Sequence, residues 1–200
     1  IWRGMGHVNF INLWSEETME KLKETGCWQL AIGVESGSVR ILAFIKKKID
    51  PEMVLRATEK NTRHGIGTKG FFIFGFPTET ETEMEQTYNL ALEMAKRGAT
   101  SISAYEFHPY PGTALYEYLK VHKPEIISQL SYLVVDRENL NKDNMLGVEA
   151  KQKLAVTGIW LPDDVAIAEI PSSIVRKYVQ KTINDFYKYK KEKIGRASCR

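Results

Sequence analysis

Three short stretches of this 200-residue chain set polar side chains beside glycine or proline directly after an apolar run. In Ile32-Gly33-Val34-Glu35-Ser36-Gly37-Ser38, Glu35 can accept hydrogen bonds from an ammonium or from ribose hydroxyls, and Ser36 can donate one. The glycines let a backbone approach a ligand. An equally open reading has Ser36 or Ser38 capping the next helix, with Glu35 near its positive end. In Ile73-Phe74-Gly75-Phe76-Pro77-Thr78-Glu79-Thr80, the glycine leaves space where a flat apolar group such as an adenine ring can lie against Ile73. There Glu79 either fixes the turn through backbone amides or simply starts a helix. In Phe107-His108-Pro109-Tyr110-Pro111-Gly112-Thr113, two prolines fix an extended path and leave neighbouring carbonyls free to meet a ligand. His108 has no partner cluster and reads more readily as structural, and His7, His64 and His122 lack metal-ligand spacing. No Walker loop, G-x-G-x-x-G, G-x-S-x-G or H-E-x-x-H occurs, so those enzyme classes lose their main support.

The elements that must position these stretches alternate between helix and strand from residue 15 to about 122. Ser15 caps a helix with Glu16 and Glu17 in its first turn, and Gly26 ends it. A strand is predicted over Trp28 to Val34, and a helix follows Asp50-Pro51 up to Gly65. Residues 68 to 75 read as a core strand whose unbroken Phe71-Phe72-Ile73-Phe74 suits a parallel sheet covered on both faces. Thr80 and Glu83 form a capping box ahead of a helix ending at Gly98, and Ser101 to Phe107 is another strand. Crossovers of this length predict an α/β fold with a parallel sheet, doubly wound or barrel. A short helix covers Ala114 to Val121, residues 123 to 170 carry mixed signals around Asn139 to Asn144, and an amphipathic helix closes the chain up to about Lys193. That last helix is expected to pack its Ile174, Val175, Tyr178 and Phe186 side on the domain and leave its lysines in water.

A composition of 43% apolar and 26% charged residues argues against disorder. No run of about 18 apolar residues and no secretory leader is present, which predicts a cytoplasmic location. Cys27 and Cys199 are too few for a disulfide framework or a complete zinc or iron–sulfur site. The last seven residues, Ile194 to Arg200, coincide with the in-frame translation of a common sequencing-adapter oligonucleotide and are expected to be a library artefact. Removing Arg196 and Arg200 from the 28 basic residues leaves 26 against 25 acidic, +1 rather than +3, so charge gives no signal for nucleic acid or membrane.

In order and spacing, Gly26-Cys27, Ile32 to Ser38, Gly65-Ile66, Phe72 to Thr80 and Pro109-Tyr110-Pro111-Gly112-Thr113 resemble the radical S-adenosylmethionine superfamily. The likeness is to the branch that often carries a cobalamin-binding domain and includes oxidative cyclases and methyltransferases. It covers about residues 1 to 120, with an echo at Phe186-Tyr187. The resemblance implies a partial parallel (βα) barrel, roughly strands 3 to 6, over residues 1–122, and a mostly helical extension over 123–193. It implies S-adenosylmethionine and a [4Fe–4S] cluster as cofactors, with the C-x-x-x-C-x-x-C loop upstream of this chain, and cobalamin in an N-terminal domain. Glu35 and Ser36 would meet the polar groups of S-adenosylmethionine, Ile73 and Gly75 its adenine, and the backbone of His108, Pro109 and Tyr110 would bound the ring. The family's fifth-strand pattern often reads G-x-I-x-G-x-x-E; here Phe71 takes the first glycine position and Glu79 comes one residue late. A small-molecule substrate and an electron donor such as flavodoxin or ferredoxin would be partners of the parent enzyme, and these 200 residues alone would be inactive. Rival readings are a methylthiotransferase of the same superfamily and a non-catalytic α/β module binding a nucleotide or a partner.

Overall fold

The computed structural model describes residues 1–129, 131–132, 159–160 and 165–197. The expectations for Asn139 to Asn144 and for Cys199 fall outside these residues. Four parallel strands form one sheet in the order β1 (Trp2–Met5), β2 (Cys27–Glu35), β3 (Gly67–Phe74) and β4 (Ser101–Glu106). Between them run α1 (Val8–Leu13) and α2 (Glu16–Glu24), then α3 (Val39–Phe44) and α4 (Pro51–Arg63), then α5 (Glu81–Lys96). After β4 come α6 (Ala114–His122), α7 (Pro124–Gln129), a two-residue ladder of β5 (Ser131–Tyr132) with β6 (Ile159–Trp160), and α8 (Ser172–Ala197). The chain starts its helices where short polar side chains occupy a free first-turn amide: Ser15 accepts from Thr18 N, Asp50 from Met53 N and Thr80 from Glu83 N.

The sheet is covered on one face. Along β3, Thr68, Gly70, Phe72 and Phe74 are buried and Gly67, Lys69, Phe71 and Ile73 are only half-buried. The two-sided burial expected from the Phe71–Phe74 run is therefore corrected: the apolar run is continuous, but the two-residue strand period sends its members to opposite faces. Phe72 and Phe74 are fully buried with Ile32 and Val34 of β2, Met84 and Met94 of α5, and Phe186 of α8. Burying each such phenylalanine contributes up to about 3 kcal/mol.

The C-terminal helix belongs to this core. It lies along α5 and the outer edge of β4, where Tyr88 Oη donates to Asp185 Oδ2 at 2.9 Å and Lys181 Nζ sits 3.9 Å from the Tyr88 ring centre. Phe107 N donates to Phe74 O, so the odd residues of β4 turn their backbone groups toward β3 and the even residues turn theirs outward. Tyr187 Oη takes one outward pair, accepting from Ile102 N at 3.4 Å and donating to Ile102 O at 3.2 Å. No helix among the described residues is long and apolar enough to cross a membrane.

Candidate functional site

The polar groups gather at the carboxyl ends of β2, β3 and β4. At the end of β2 the register with β3 shifts between Gly33 and Glu35, and Glu35 takes a left-handed φ of 64°. This folds its carboxylate back over Gly33, where Lys47 Nζ donates to Oε1 at 2.8 Å. A Cβ on Gly33 would overlap Glu35 Oε1 and lie 2.8 Å from Lys47 Nζ, so the pair sits directly over the glycine. The pair faces the uncovered side of the sheet, with side chains 20% and 25% exposed for Glu35 and Lys47.

Ser36 turns the other way. It is fully buried, its hydroxyl lies 3.2 Å from Thr87 Oγ1, and it accepts from Ser38 N at 3.0 Å. Gly37 N donates to Thr87 Oγ1 at 2.8 Å, and a Cβ on Gly37 would stand 2.6 Å from Gln86 C and 2.7 Å from Thr87 Cα. The room left by Gly37 is thus filled by the backbone of α5. Ser38 caps α3, accepting from Ile41 N, and donates to Glu83 Oε1 at 2.8 Å.

At the end of β3, Glu79 is fully buried, and its Oε2 accepts from Gly75 N at 2.6 Å and Phe76 N at 3.1 Å. The glutamate does fix the turn. Thr78 absorbs the extra residue with a φ of 66°. Burial pushes the Glu79 carboxyl up to about 7, against the pull of those two amides. Its Oε1 has no partner among the described residues. The adenine-sized space expected at Gly75 is a further correction: a Cβ there would meet Val175 Cγ1 at 2.9 Å, so α8 occupies it. Ile73 remains half-buried on the uncovered face, at the border of a second apolar cluster that includes Phe76, Phe107, Leu119 and Ile167.

Arg40 and Glu83 tie the two turns together. Arg40 Nε and Nη2 bind Glu83 Oε1 and Oε2 at 2.8 and 2.6 Å, and Arg40 also donates to Thr78 O at 2.7 Å and to Thr78 Oγ1 at 3.1 Å. Glu83 accepts further bonds from Ser38 Oγ, Thr80 N and Thr80 Oγ1. The Arg40 guanidinium, backed by these donors, holds the Glu83 carboxyl down to about 2 despite burial.

At the end of β4, Glu106 points toward α8 and accepts from Arg176 Nε at 2.8 Å, with His108 Nε2 3.8 Å away. Burial alone would raise its carboxyl, but polar contacts with His108, Arg176 and Ser172 outweigh burial and hold it below the ordinary range. His108 is thus a polar neighbour of a structural carboxylate. Pro109 is buried and Tyr110 is 57% exposed. The free carbonyls expected here are corrected at Tyr110, whose oxygen accepts from Thr113 N and Thr113 Oγ1. Of the expected residues, Glu35 and Ile73 share the open face, whereas Ser36, Gly75 and Pro109 face packing. Sequence reasoning missed Lys47, Arg40 and Glu106. Only the lysine run at 46–48, twelve residues after Glu35, offered a hint for Lys47.

A one-sided parallel sheet with polar turns at its carboxyl ends is an α/β architecture built from βα units. Residues 6–91 match the family model described as the Radical SAM superfamily, and that stretch of the chain is similar to it. An uncharacterized methyltransferase of Pyrococcus horikoshii is 39% identical over 117 residues, 58% of this chain and 24% of that protein. A tRNA-2-methylthio-N(6)-dimethylallyladenosine synthase of Anaplasma marginale is 32% identical over 120 residues, 57% of this chain and 26% of that protein. The archaeal Elp3 of Methanocaldococcus infernus superposes with a TM-score of 0.51 at 19% identity, covering 59% of this chain and 27% of that one, a likeness of fold. The chain spans about a quarter of the length of the curated relatives it matches.

Proposed function

We propose that this chain forms the S-adenosylmethionine-facing part of a radical SAM enzyme of the methyl-transferring class. The observation that carries the reading is the Glu35–Lys47 pair, held over Gly33 on the uncovered face beside Ile73. In this superfamily, S-adenosylmethionine with a reduced [4Fe–4S] cluster supplies a 5′-deoxyadenosyl radical that abstracts hydrogen. Glu35 offers a carboxylate to the ammonium or ribose hydroxyls, Lys47 offers its ammonium to the carboxylate, and Ile73 offers an apolar surface to the adenine. Glu79, Glu83 and Arg40 hold the turns that carry these groups.

The residues of this chain do not fit the cluster. Cys27 is fully buried at the start of β2, burial pushes its thiol up, and among the described residues no group of three metal-ligating side chains converges. With two cysteines in the sequence, the cluster's three thiolates would have to come in part from outside these 200 residues, and cobalamin would belong to a further domain of the proposed enzyme. A small-molecule substrate and an electron donor such as flavodoxin or ferredoxin complete the proposal. The identity to the tRNA-modifying synthase favours a second reading, transfer of a methylthio group.

Titration of the isotope-labelled chain with S-adenosylmethionine tests the binding assignment. Amide perturbations are expected at residues 33–37 and 73–76, with affinity falling about tenfold in Glu35→Gln, the worth of one charge-assisted hydrogen bond. Binding that Glu35→Gln leaves intact, or perturbations confined to other surfaces, would refute it. Product analysis of an active enzyme that includes this chain separates methyl from methylthio transfer.

A further inference from the structure

The uncovered face carries a cation that the reading above does not use. By register, Ala31, Lys69 and Ser101 lie side by side on β2, β3 and β4, and Gly33, Phe71 and Ser103 form the next row toward the carboxyl ends. Tyr105 follows beside Ile73, 53% exposed. Lys69 is half-buried, and its Nζ lies 5.0 Å from the centre of the Phe71 ring, so the side chain runs up the strand into the Phe71–Ser103 row. Among the described residues Lys69 makes no ion pair and no hydrogen bond, and the hydroxyls of Ser103 and Tyr105 have no partner either. The carboxylate on this face, Glu35, is already matched by Lys47. One ammonium and two free hydroxyls therefore line a surface beside a strand that presents Ala31 and Gly33, with the Glu35–Lys47 pair folded over Gly33.

We propose that Lys69, with Ser103 and Tyr105, receives an anionic group of the substrate, a carboxylate or a phosphate. An ammonium carried over an aromatic ring by a half-buried side chain, with hydroxyl donors beside it, offers an anion a charge and hydrogen bonds in one place. This inference rests on the proposed function for calling the ligand a substrate, but not for the binding itself.

The test uses the full chain with three probes of similar size: benzoate, phenyl phosphate and neutral benzyl alcohol. Saturable amide perturbations at residues 69–73 and 101–105 are expected with at least one anion, which binds about tenfold tighter than the alcohol, the worth of a charge-assisted hydrogen bond. The comparison of benzoate with phenyl phosphate tells which anion the site prefers. Lys69→Met should abolish that preference and Lys69→Arg retain it, with unchanged circular dichroism in both. Ser103→Ala should weaken anion binding severalfold. Equal affinity for anions and alcohol, an unchanged preference in Lys69→Met, or perturbations centred on the lysines of α8 would overturn the proposal. Anion binding at Lys69 without S-adenosylmethionine binding at Glu35 would leave this site standing and remove the proposed function; the converse would remove only this site.

Discussion

Replacing Glu83 by glutamine removes the charge on which five hydrogen bonds and two turns converge. The Glu83 carboxyl sits at about 2 rather than 4.5, with 11% of its side chain exposed. A shift of that size corresponds to about 3 kcal/mol of folding free energy at neutral pH, from about 1.4 kcal/mol per unit. Arg40 is 53% exposed, so water screens the pair and about 2 kcal/mol is the expected net cost of Glu83→Gln. The sign follows from the direction: a depressed carboxyl stabilises fully above its unfolded value of 4.5, and that stability drains away as pH falls toward 2. Urea denaturation of wild type and variant, followed by far-ultraviolet circular dichroism at a series of pH values, gives the difference directly. The two proteins should differ by about 2 kcal/mol at pH 6 and converge by about pH 2. A difference that is constant across this range would show that Glu83 acts by packing and not by its charge, and the reasoning would fail.

Glu79 should behave oppositely: its raised carboxyl stabilises fully below 4.5 and loses that contribution as pH rises from 4.5 through about 7, so Glu79→Gln should flatten the acid-to-neutral decline in urea midpoint. A decline that persists unchanged in the variant would exclude Glu79 as its source. Gly37→Ala should cost about 3 kcal/mol or more, because the added carbon meets backbone of α5 that cannot step aside, and the soluble yield and melting temperature will report it. Tyr187→Phe removes both bonds to the Ile102 peptide and should cost about 1 kcal/mol, with faster amide exchange at Ile102 as the local readout.

The elements were legible because their punctuation is local. Ser15, Asp50 and Thr80 each cap the helix they announce, and the crossover lengths demand parallel strands. The site was legible only in part. Glu35 could be singled out because it follows an apolar strand, but the same argument chose Ser36, and the chain turns these neighbours to opposite sides. The bulge at Gly33–Glu35 and the left-handed φ of Glu35 decide that, and neither leaves a mark in residue types, since glycine flanks both serines. Likewise Gly75 and Gly37 advertised open space that α8 and α5 fill, because a glycine reports close approach without saying what approaches.

The run Glu79-Thr80-Glu81-Thr82-Glu83 shows the same limit in its charges. Two of its glutamates, four residues apart, are buried, yet one carboxyl rises to about 7 and the other falls to about 2. Glu83 lies where Arg40, in the first turn of α3, can reach it, so a guanidinium and three polar groups repay its desolvation. Glu79 lies under the segment at 165–170, whose Glu169 N bonds to the Glu79 carbonyl and whose carbonyls at 166–168 are gathered by Lys123 Nζ. That cover excludes water and brings no donor to Oε1. Residues some ninety positions downstream therefore bond to the backbone of the residue whose carboxyl fixes the β3 turn. Such a contact belongs to the packing of the whole chain, which is why the β3 turn and the C-terminal segments have to be understood as one unit.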